Sequence, residues 1–319
     1  MFGKPVLYFV VPCYNEEEAL PHTAEKLLGK REALAAAGRI SPDSRILFVN
    51  DGSGDGTWRM IRDLHEQNPA VLGLSLSRNR GHQNALLAGL LYAKDHCDAA
   101  VSMDADLQDD IDAVDGMVDS YLSGTDIVYG VRNNRDTDTP FKRGTASLFY
   151  KLMEVMGVEL VSNSADYRLM SRRALEGLSE FPEVNLFLRG IVPMIGYRSD
   201  RVYYKRGARV AGESKYPLRK MLRFSIEGIT SLSVEPIRLI TRLGFAVFIV
   251  SLALLLWGLI QKFRGAVVPG WTSLIISVWA IGGLILLSIG VIGEYIGKIY
   301  LESKRRPRFI VEEILDDTH

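Results

Sequence analysis

The stretch "VSMDADLQDD", residues 101–110, sets Asp104 and Asp106 one residue apart at the end of a short apolar run, with Gln108, Asp109 and Asp110 close behind. Such crowding of carboxylates is either an ordinary acidic surface turn or a seat for something positive. Three other segments end in the same manner: "PCYNE", "NDGSGDGT" and "SRNRG" each follow an apolar run. Singly, each reads as a solvated turn, because Asn, Asp, Gly and Ser are ordinary turn formers. "NDGSGDGT" has no Walker-type lysine, and it lacks the G-x-G-x-x-G spacing of a dinucleotide site. Four polar ends in one chain are harder to set aside.

The elements that must position them alternate. "VLYFVVPCYN", "SRILFVN", "VLGLSLS", "AAVSMDADLQ" and "DIVYGVR" are near-continuous apolar runs, the pattern of strands covered on both faces. Between them, "EEEALPHTAEKLLGKREALAAAG", "WRMIRDLHEQN" and "HQNALLAGLLYAKDH" carry apolar residues at helical spacing, the first interrupted near its start by Pro21. This alternation predicts a parallel sheet with helices on both faces. Ligands of such sheets bind beyond the carboxyl ends of the strands, so the four polar ends converge on one crevice. If the fourth strand runs through "DADLQ", alternation puts residues 104, 106 and 108 on one face.

The bulk numbers narrow the class. At 319 residues the chain is long enough for a substantial core, and Lys plus Arg equals Asp plus Glu at 38 each, which gives no pull toward nucleic acid. Acids gather around Glu16, Asp51, Asp104 and Asp110, whereas bases gather from Arg198 to Arg223 and from Lys304 to Arg308. Cys13 and Cys97 are too few for a disulfide framework and read as reduced thiols of a cytosolic domain. The opening "KPVLYFVVPCYN" is too short in its apolar run for a secretory signal.

The C-terminal third differs. No charged residue occurs from Gly244 to Ile260 or from Pro269 to Gly293, and a bilayer core needs about 20 apolar helical residues. Two membrane helices are expected. Arg219, Lys220, Arg223, Arg238 and Arg242 precede the first; Lys298, Lys304, Arg305, Arg306 and Arg308 follow the second; only Lys262 and Arg264 lie between. That excess puts the N-terminal part and both chain ends in the cytoplasm. Trp257, Trp271 and Tyr295 suit the interface. "LRKMLRFSIEGITSLSVEPIRLI" has an apolar and a basic face, as a helix lying among headgroups has. The expected division is 1–215 catalytic, 216–241 juxtamembrane, 242–298 a transmembrane hairpin and 299–319 a cytoplasmic tail.

Taken in order, "VVPCYNEEEAL", "FVNDGSGDGT", "SRNRGHQNALLAGL", "MDADLQDD", "ADYRLMSRRAL" and "GESKYPLRKML", followed by two apolar spans, resemble the family 2 inverting glycosyltransferases of GT-A fold. The similarity extends to bacterial polyisoprenyl-phosphate glycosyltransferases related to dolichol-phosphate mannose synthase. It covers nearly the whole chain. The resemblance implies an α/β, Rossmann-like nucleotide-sugar domain with interfacial helices and two C-terminal transmembrane helices.

It also implies roles for individual residues. Asp104 and Asp106 would form the D-x-D pair that holds Mg²⁺ or Mn²⁺ against the donor diphosphate, with Gln108 as a further ligand or neighbour; hard cations of this kind prefer oxygen ligands. Pro12, Tyr14, Glu16 and Asp51 would line the nucleoside pocket, with Asn50, Ser53 and Asp55 as weaker candidates. Glu16 has a second reading as a helix-capping acid. Arg78 and Gly81 would approach the donor, and His82 reads as structural or donor-adjacent. Asp166 matches the position proposed as general base in relatives. A lipid phosphate, with a second pKa of about 6, needs no base, so Asp166 is held as a site residue that orients the sugar or an arginine such as Arg168. Arg132, Arg143 and Ser147 would bind the acceptor phosphate, with Arg135 and Lys142 nearby. Arg206, Arg209, Ser214, Lys215 and Tyr216 would belong to a loop that closes over the donor.

The expected activity is inverting transfer of a sugar, glucose first among the choices, from a UDP-sugar to undecaprenyl phosphate at the cytoplasmic membrane face. Membrane lipids are partners in this reading, nucleic acid is not, and a homo-oligomer or a flippase partner fits. Three rivals stand beside it. A processive polysaccharide synthase calls for a Q-x-x-R-W motif and more spans, which the sequence lacks. A non-catalytic sugar-nucleotide binder serving a flippase is opposed by the intact Asp104–Asp106 pair. A soluble dinucleotide oxidoreductase is opposed by the missing glycine fingerprint.

Overall fold

A computed structural model describes residues 3–133, 151, 153, 155–158, 160, 161, 163–205, 228–264 and 270–316. The apolar runs form strands β1 (Leu7–Cys13), β2 (Arg45–Asn50), β3 (Val71–Leu76), β4 (Ala99–Ser102) and β5 (Ile127–Arg132). The periodic segments between them form α1 (Leu20–Ala36), α2 (Thr57–Gln67), α3 (His82–Lys94) and α4 (Ala113–Leu122). Beyond them come β6 (Ser164–Ser171), α5 (Arg172–Ser179), α6 (Leu188–Met194), β7 (Ser199–Tyr204), two long helices α7 (Glu235–Phe263) and α8 (Trp271–Lys304), and β8 (Val311–Leu315). Pro21 sits in the first turn of α1, where its missing N–H costs nothing, so it does not interrupt the helix.

The eight strands form one sheet in the order β7-β5-β6-β4-β1-β2-β3-β8. The expected all-parallel sheet is corrected here. β6 runs antiparallel to both β4 and β5, and β8 runs antiparallel to β3. Alternate residues of β1 feed two cores: Leu7, Phe9 and Val11 join α1, α2 and α4 on one face, while Tyr8 and Val10 join α3, α5 and α6 on the other. That is the period-2 consequence of a strand buried on both sides. Cys13 and Cys97 lie in these cores as free thiols, and burial pushes the Cys97 thiol up to about 12.

The chain winds from β1 outward through β2 to β3, then returns to place β4 on the other side of β1. Strand order therefore reverses between β1 and β4, and a crevice opens beyond the carboxyl ends at such a switch point.

The C-terminal helices contrast with the sheet. α7 and α8 span 29 and 34 residues, about 43 and 51 Å at 1.5 Å per residue. Leu243, Phe245, Ile249, Leu256 and Ile260 of α7 and Leu274, Val278, Ile285, Leu286 and Ile289 of α8 are exposed. Among the described residues one stretch, Ile281–Lys304, is long and apolar enough to cross a membrane by itself. The expected tail also differs: after α8 the chain returns to the sheet as β8, so residues 311–315 belong to the domain fold. Glu313 binds Trp58 Nε1 at 3.0 Å and Arg62 at 2.8 Å. At the feet of the two helices, Tyr295 Oη of α8 donates to Ser233 O, just before α7, at 2.6 Å, and Lys298 Nζ donates to Ser231 Oγ at 2.8 Å.

Candidate active site

On the β2 side of the switch point the polar strand ends are bound to one another. Asn15, in the left-handed region at φ 54°, receives a hydrogen bond from Gly54 N on its side chain at 2.9 Å, and its own N–H donates to Ser53 Oγ at 3.0 Å. Glu17 accepts from Gly56 N at 2.8 Å, and Asn50 Oδ1 from Ser53 N at 3.1 Å. Asp55 accepts from Thr57 N and from Glu17 N at 3.0 and 3.3 Å. Asp51 is 2% exposed, and its two oxygens accept the N–H groups of Arg80 (2.7 Å) and Gly81 (2.9 Å). Burial raises Asp51 above the usual carboxylate range, against the pull of those two hydrogen bonds. Asp51 thus fixes the loop that leads into α3. Gly52 completes the junction at φ 60°, where a Cβ would lie 2.5 Å from the backbone of Arg78 and Asn79. Gly81, at φ 87°, precedes α3. Pro12 is buried in β1, whereas Tyr14 (49% exposed) and Arg78 face solvent. Glu16 stands before α1; Ala19 is the residue that caps it.

The β4 side is built differently. The strand stops at Ser102, and the chain turns through residues 105–106 to Leu107 at φ 46°. The alternation expected to align 104, 106 and 108 is therefore absent, because these residues are not in a strand. The turn is held from below: Thr23 Oγ1 of α1 donates to Ala105 O at 2.6 Å, and Gln108 N donates to Asp106 Oδ1 at 3.2 Å. Asp104 remains 40% exposed on its side chain, while Gln108 is buried.

His82 stands between two carboxylates, its Nε2 3.5 Å from Asp104 Oδ1 and 3.6 Å from Asp166 Oδ2. Asp166 comes from β6, whose pairing with β4 sets Arg168 opposite Ser102. Its carboxylate is buried and paired with Arg168 at 2.7 Å and with Arg189 of α6 at 3.2 Å. Burial opposes its ionisation, but Arg189, His82 and Arg168 together hold Asp166 well below the usual carboxylate range. Asp104 goes the other way. Burial raises it; His82 counters in part, and Asp166, Asp109 and Asp106 add to the rise. Burial disfavours the His82 imidazolium, yet Asp166 and Asp104 raise its pKa above the ordinary value.

Arg132, expected at the acceptor phosphate, is bonded to Asp109 (3.0 Å) and to the Tyr204 hydroxyl (3.0 Å). Arg143, Ser147, Arg206, Arg209, Ser214, Lys215 and Tyr216, with Arg135 and Lys142, lie outside the described residues. Sequence reasoning missed Arg189, a lone arginine in "NLFLRG" without a pattern to mark it. It also missed the bracing pair Asp109 and Tyr204, although Asp109 stood in view within "DADLQDD".

An all-oxygen set of two carboxylates and an amide suits a hard divalent cation. Among the described residues no three His, Cys, Asp or Glu side chains come together to enclose a metal, so the set at 104, 106 and 108 is an open one. The raised Asp104 fits such a use, since a cation would relieve the repulsion among its acidic neighbours.

Comparison with known families resolves the class. The glycosyl transferase family 2 model matches residues 8–179, from β1 to the end of α5. The chain belongs to glycosyl transferase family 2. It is 52% identical to the uncharacterized glycosyltransferase YkoT of Bacillus subtilis, over 97% of this chain and 92% of that protein. It is 40% identical to the bactoprenol glucosyl transferase of Shigella phage SfV, over 95% and 97% of the two chains. Among solved structures, mannosyl-3-phosphoglycerate synthase from Rubrobacter xylanophilus is similar at 17% identity and a TM-score of 0.48, over 75% of each chain. The mixed α/β sheet is the GT-A type of this family.

Proposed function

We propose that this family 2 glycosyltransferase moves a glucosyl unit from UDP-glucose to undecaprenyl phosphate, with inversion, at the cytoplasmic face of the membrane. The observation that carries the reading is the placement of two features side by side. The Asp104–His82–Asp166 cluster opens at the switch point, and the foot of a long apolar helix stands against the same domain, where Glu302 of α8 accepts from Val184 N and Asn185 N at 2.9 and 2.8 Å and one cleft is lined by both His82 and Lys298. The names of full-length relatives support glucose and a bactoprenol acceptor.

In this reading α7 and α8 form a two-span hairpin. Both are long enough for a hydrocarbon core of about 30 Å, and their exposed apolar side chains need a solvent other than water. The start of α7 and the end of α8 are tied to one domain, so both chain ends share a side, and the basic flanks put that side in the cytoplasm.

Asp104 and Asp106, with Gln108 close by, would hold Mg²⁺ or Mn²⁺, which when bound supplies positive charge to the departing diphosphate. The chain's own residues do the rest. Asp51, Gly52 and the Asn15–Ser53 contacts preshape the nucleoside side. Asp166 is a poor proton acceptor, because its pKa is depressed far from the operating pH. Its work is to hold Arg168 and Arg189 in place beside His82. An ionised phosphate oxygen attacks the anomeric carbon directly, and a single displacement turns an α-linked donor into a β-linked product.

The test is incubation of the purified chain with undecaprenyl phosphate, a divalent cation and a panel of radiolabelled nucleotide sugars. Label from UDP-glucose is expected in the organic phase. Label that stays in the aqueous phase for every donor contradicts the proposal.

A further inference from the structure

The foot of α8 grips the segment that leads into α6. Glu302 Oε2 accepts from Val184 N at 2.9 Å, and its Oε1 accepts from Asn185 N at 2.8 Å and from Asn185 Nδ2 at 2.6 Å. One carboxylate thus holds two successive peptide N–H groups and a side chain, all by charge-assisted hydrogen bonds. Just past the helix, the Arg308 guanidinium donates to Phe181 O. The chain then enters α6, where Leu188 N donates to Gln83 Oε1 at 2.9 Å and Gln83 directly follows His82. The next residue, Arg189, reaches Asp166, with Nη2 at 3.2 Å from Oδ2 and Nε at 3.4 Å from Oδ1. The segment before α7 presses on the same helix. A Cβ at Gly190 would lie 2.0 Å from Leu232 Cδ1, and Phe187 is buried in one cluster with Ile229. The feet of both apolar helices therefore bear on α6, and α6 bears on the acidic cluster.

We infer that Glu302 is a positioning residue for the transfer reaction: by holding Val184 and Asn185 it sets α6 where the Arg189 guanidinium keeps Asp166 beside His82. The inference rests on the transfer reading above and adds to it a role for α8 besides anchoring. The two arginines on Asp166 differ in what fixes them. Arg168 belongs to the same strand as Asp166, so its place is set within β6. Arg189 comes from α6, so its place is set by whatever holds α6, and Glu302 is the anionic part of that hold. The Asp166 carboxylate stands 3.6 Å from His82, and His82 stands 3.5 Å from Asp104. A shift of Arg189 is therefore passed to the groups that face the crevice. Displacements of about 1 Å at a reacting centre cost up to about 10²-fold in rate.

The experiment uses the full chain in lipid nanodiscs, with UDP-glucose as donor and either undecaprenyl phosphate or the short, water-soluble citronellyl phosphate as acceptor. The second acceptor arrives from solution, so it separates positioning from tethering. With Gln83 and Leu232 still in place, Glu302→Ala is expected to lower kcat about tenfold with both acceptors, the donor KM being unchanged. Glu302→Gln keeps the oxygen used by Asn185 and loses the one used by Val184, so it recovers part of kcat. In an Arg189→Ala background, Glu302→Ala should cost no further kcat, because the group it acts through is gone. A loss confined to undecaprenyl phosphate makes Glu302 a tether. Equal losses from Glu302→Ala with and without Arg189 make its effect a general one. Either result overturns the inference and leaves the functional reading standing. If wild type transfers to neither acceptor, the functional reading falls and the role of Glu302 falls with it.

Discussion

Asp51 and Asp104 both stand just beyond the carboxyl end of a central strand, yet they live in opposite circumstances. Asp51 is 2% exposed with both oxygens taken by fixed backbone N–H groups. Asp104 is 40% exposed, accepts no hydrogen bond among the described residues, and faces a histidine at 3.5 Å and acidic neighbours. The first is a finished joint in the scaffold, and the second is a part-exposed charge that the proposed function assigns to a ligand. On the proposed reading, one residue type at equivalent ends of the sheet serves stability in one loop and chemistry in the other.

Asp166 tests that division hardest, since it is buried and saturated like Asp51 but belongs to the acidic cluster. Asp166→Asn leaves the buried Arg168 without its counter-charge and should cost about 3–5 kcal/mol in urea unfolding. Because its pKa is depressed on folding, its contribution is present at neutral pH and lost as pH falls below the ordinary value of about 3.9. Wild type should therefore lose more stability than Asp166→Asn between pH 6 and about pH 3; parallel losses would break the assignment. Next, Asp106→Ala should lower kcat by about 10²- to 10³-fold, the scale of removing electrostatic stabilisation from a leaving group, with the melting temperature nearly unchanged. A large melting shift would make Asp106 a joint like Asp51. Asp51→Ala orphans two backbone N–H groups and should destabilise by about 2–3 kcal/mol, seen in the denaturation midpoint. Glu17→Gln, half-buried on Gly56, should cost no more than about 1 kcal/mol.

The same contrast explains what could be read from the sequence. β1, β2 and β3 were legible because strands buried on both faces are continuous apolar runs, and their turn chemistry marked their ends. The antiparallel pairings of β6 and β8 were not, since their partners are remote in sequence and nothing in "VEEIL" names β3. The fate of the residues after Ser102 was hidden for a local reason. An acidic turn with a left-handed Leu107 looks, as letters, like the continuation of a strand. Asp104, His82 and Asp166 come together in space as one cluster, whereas Arg189 and Tyr204 joined their carboxylates through tertiary packing that no spacing rule encodes. The helices α7 and α8 were visible as uncharged stretches, but the return of the chain after α8 to pair with β3 as β8 was not.

The central proposal is that Asp104 and Asp106, after β4, grip the donor's diphosphate through a divalent cation. Calorimetric titration of UDP-glucose into the purified chain, with and without Mn²⁺, tests it directly, in wild type and in Asp106→Ala. Mn²⁺ should tighten binding by at least about tenfold in wild type, the effect of one added charge-assisted contact, and have no effect in the variant. Equal affinity in all four titrations would contradict the claim.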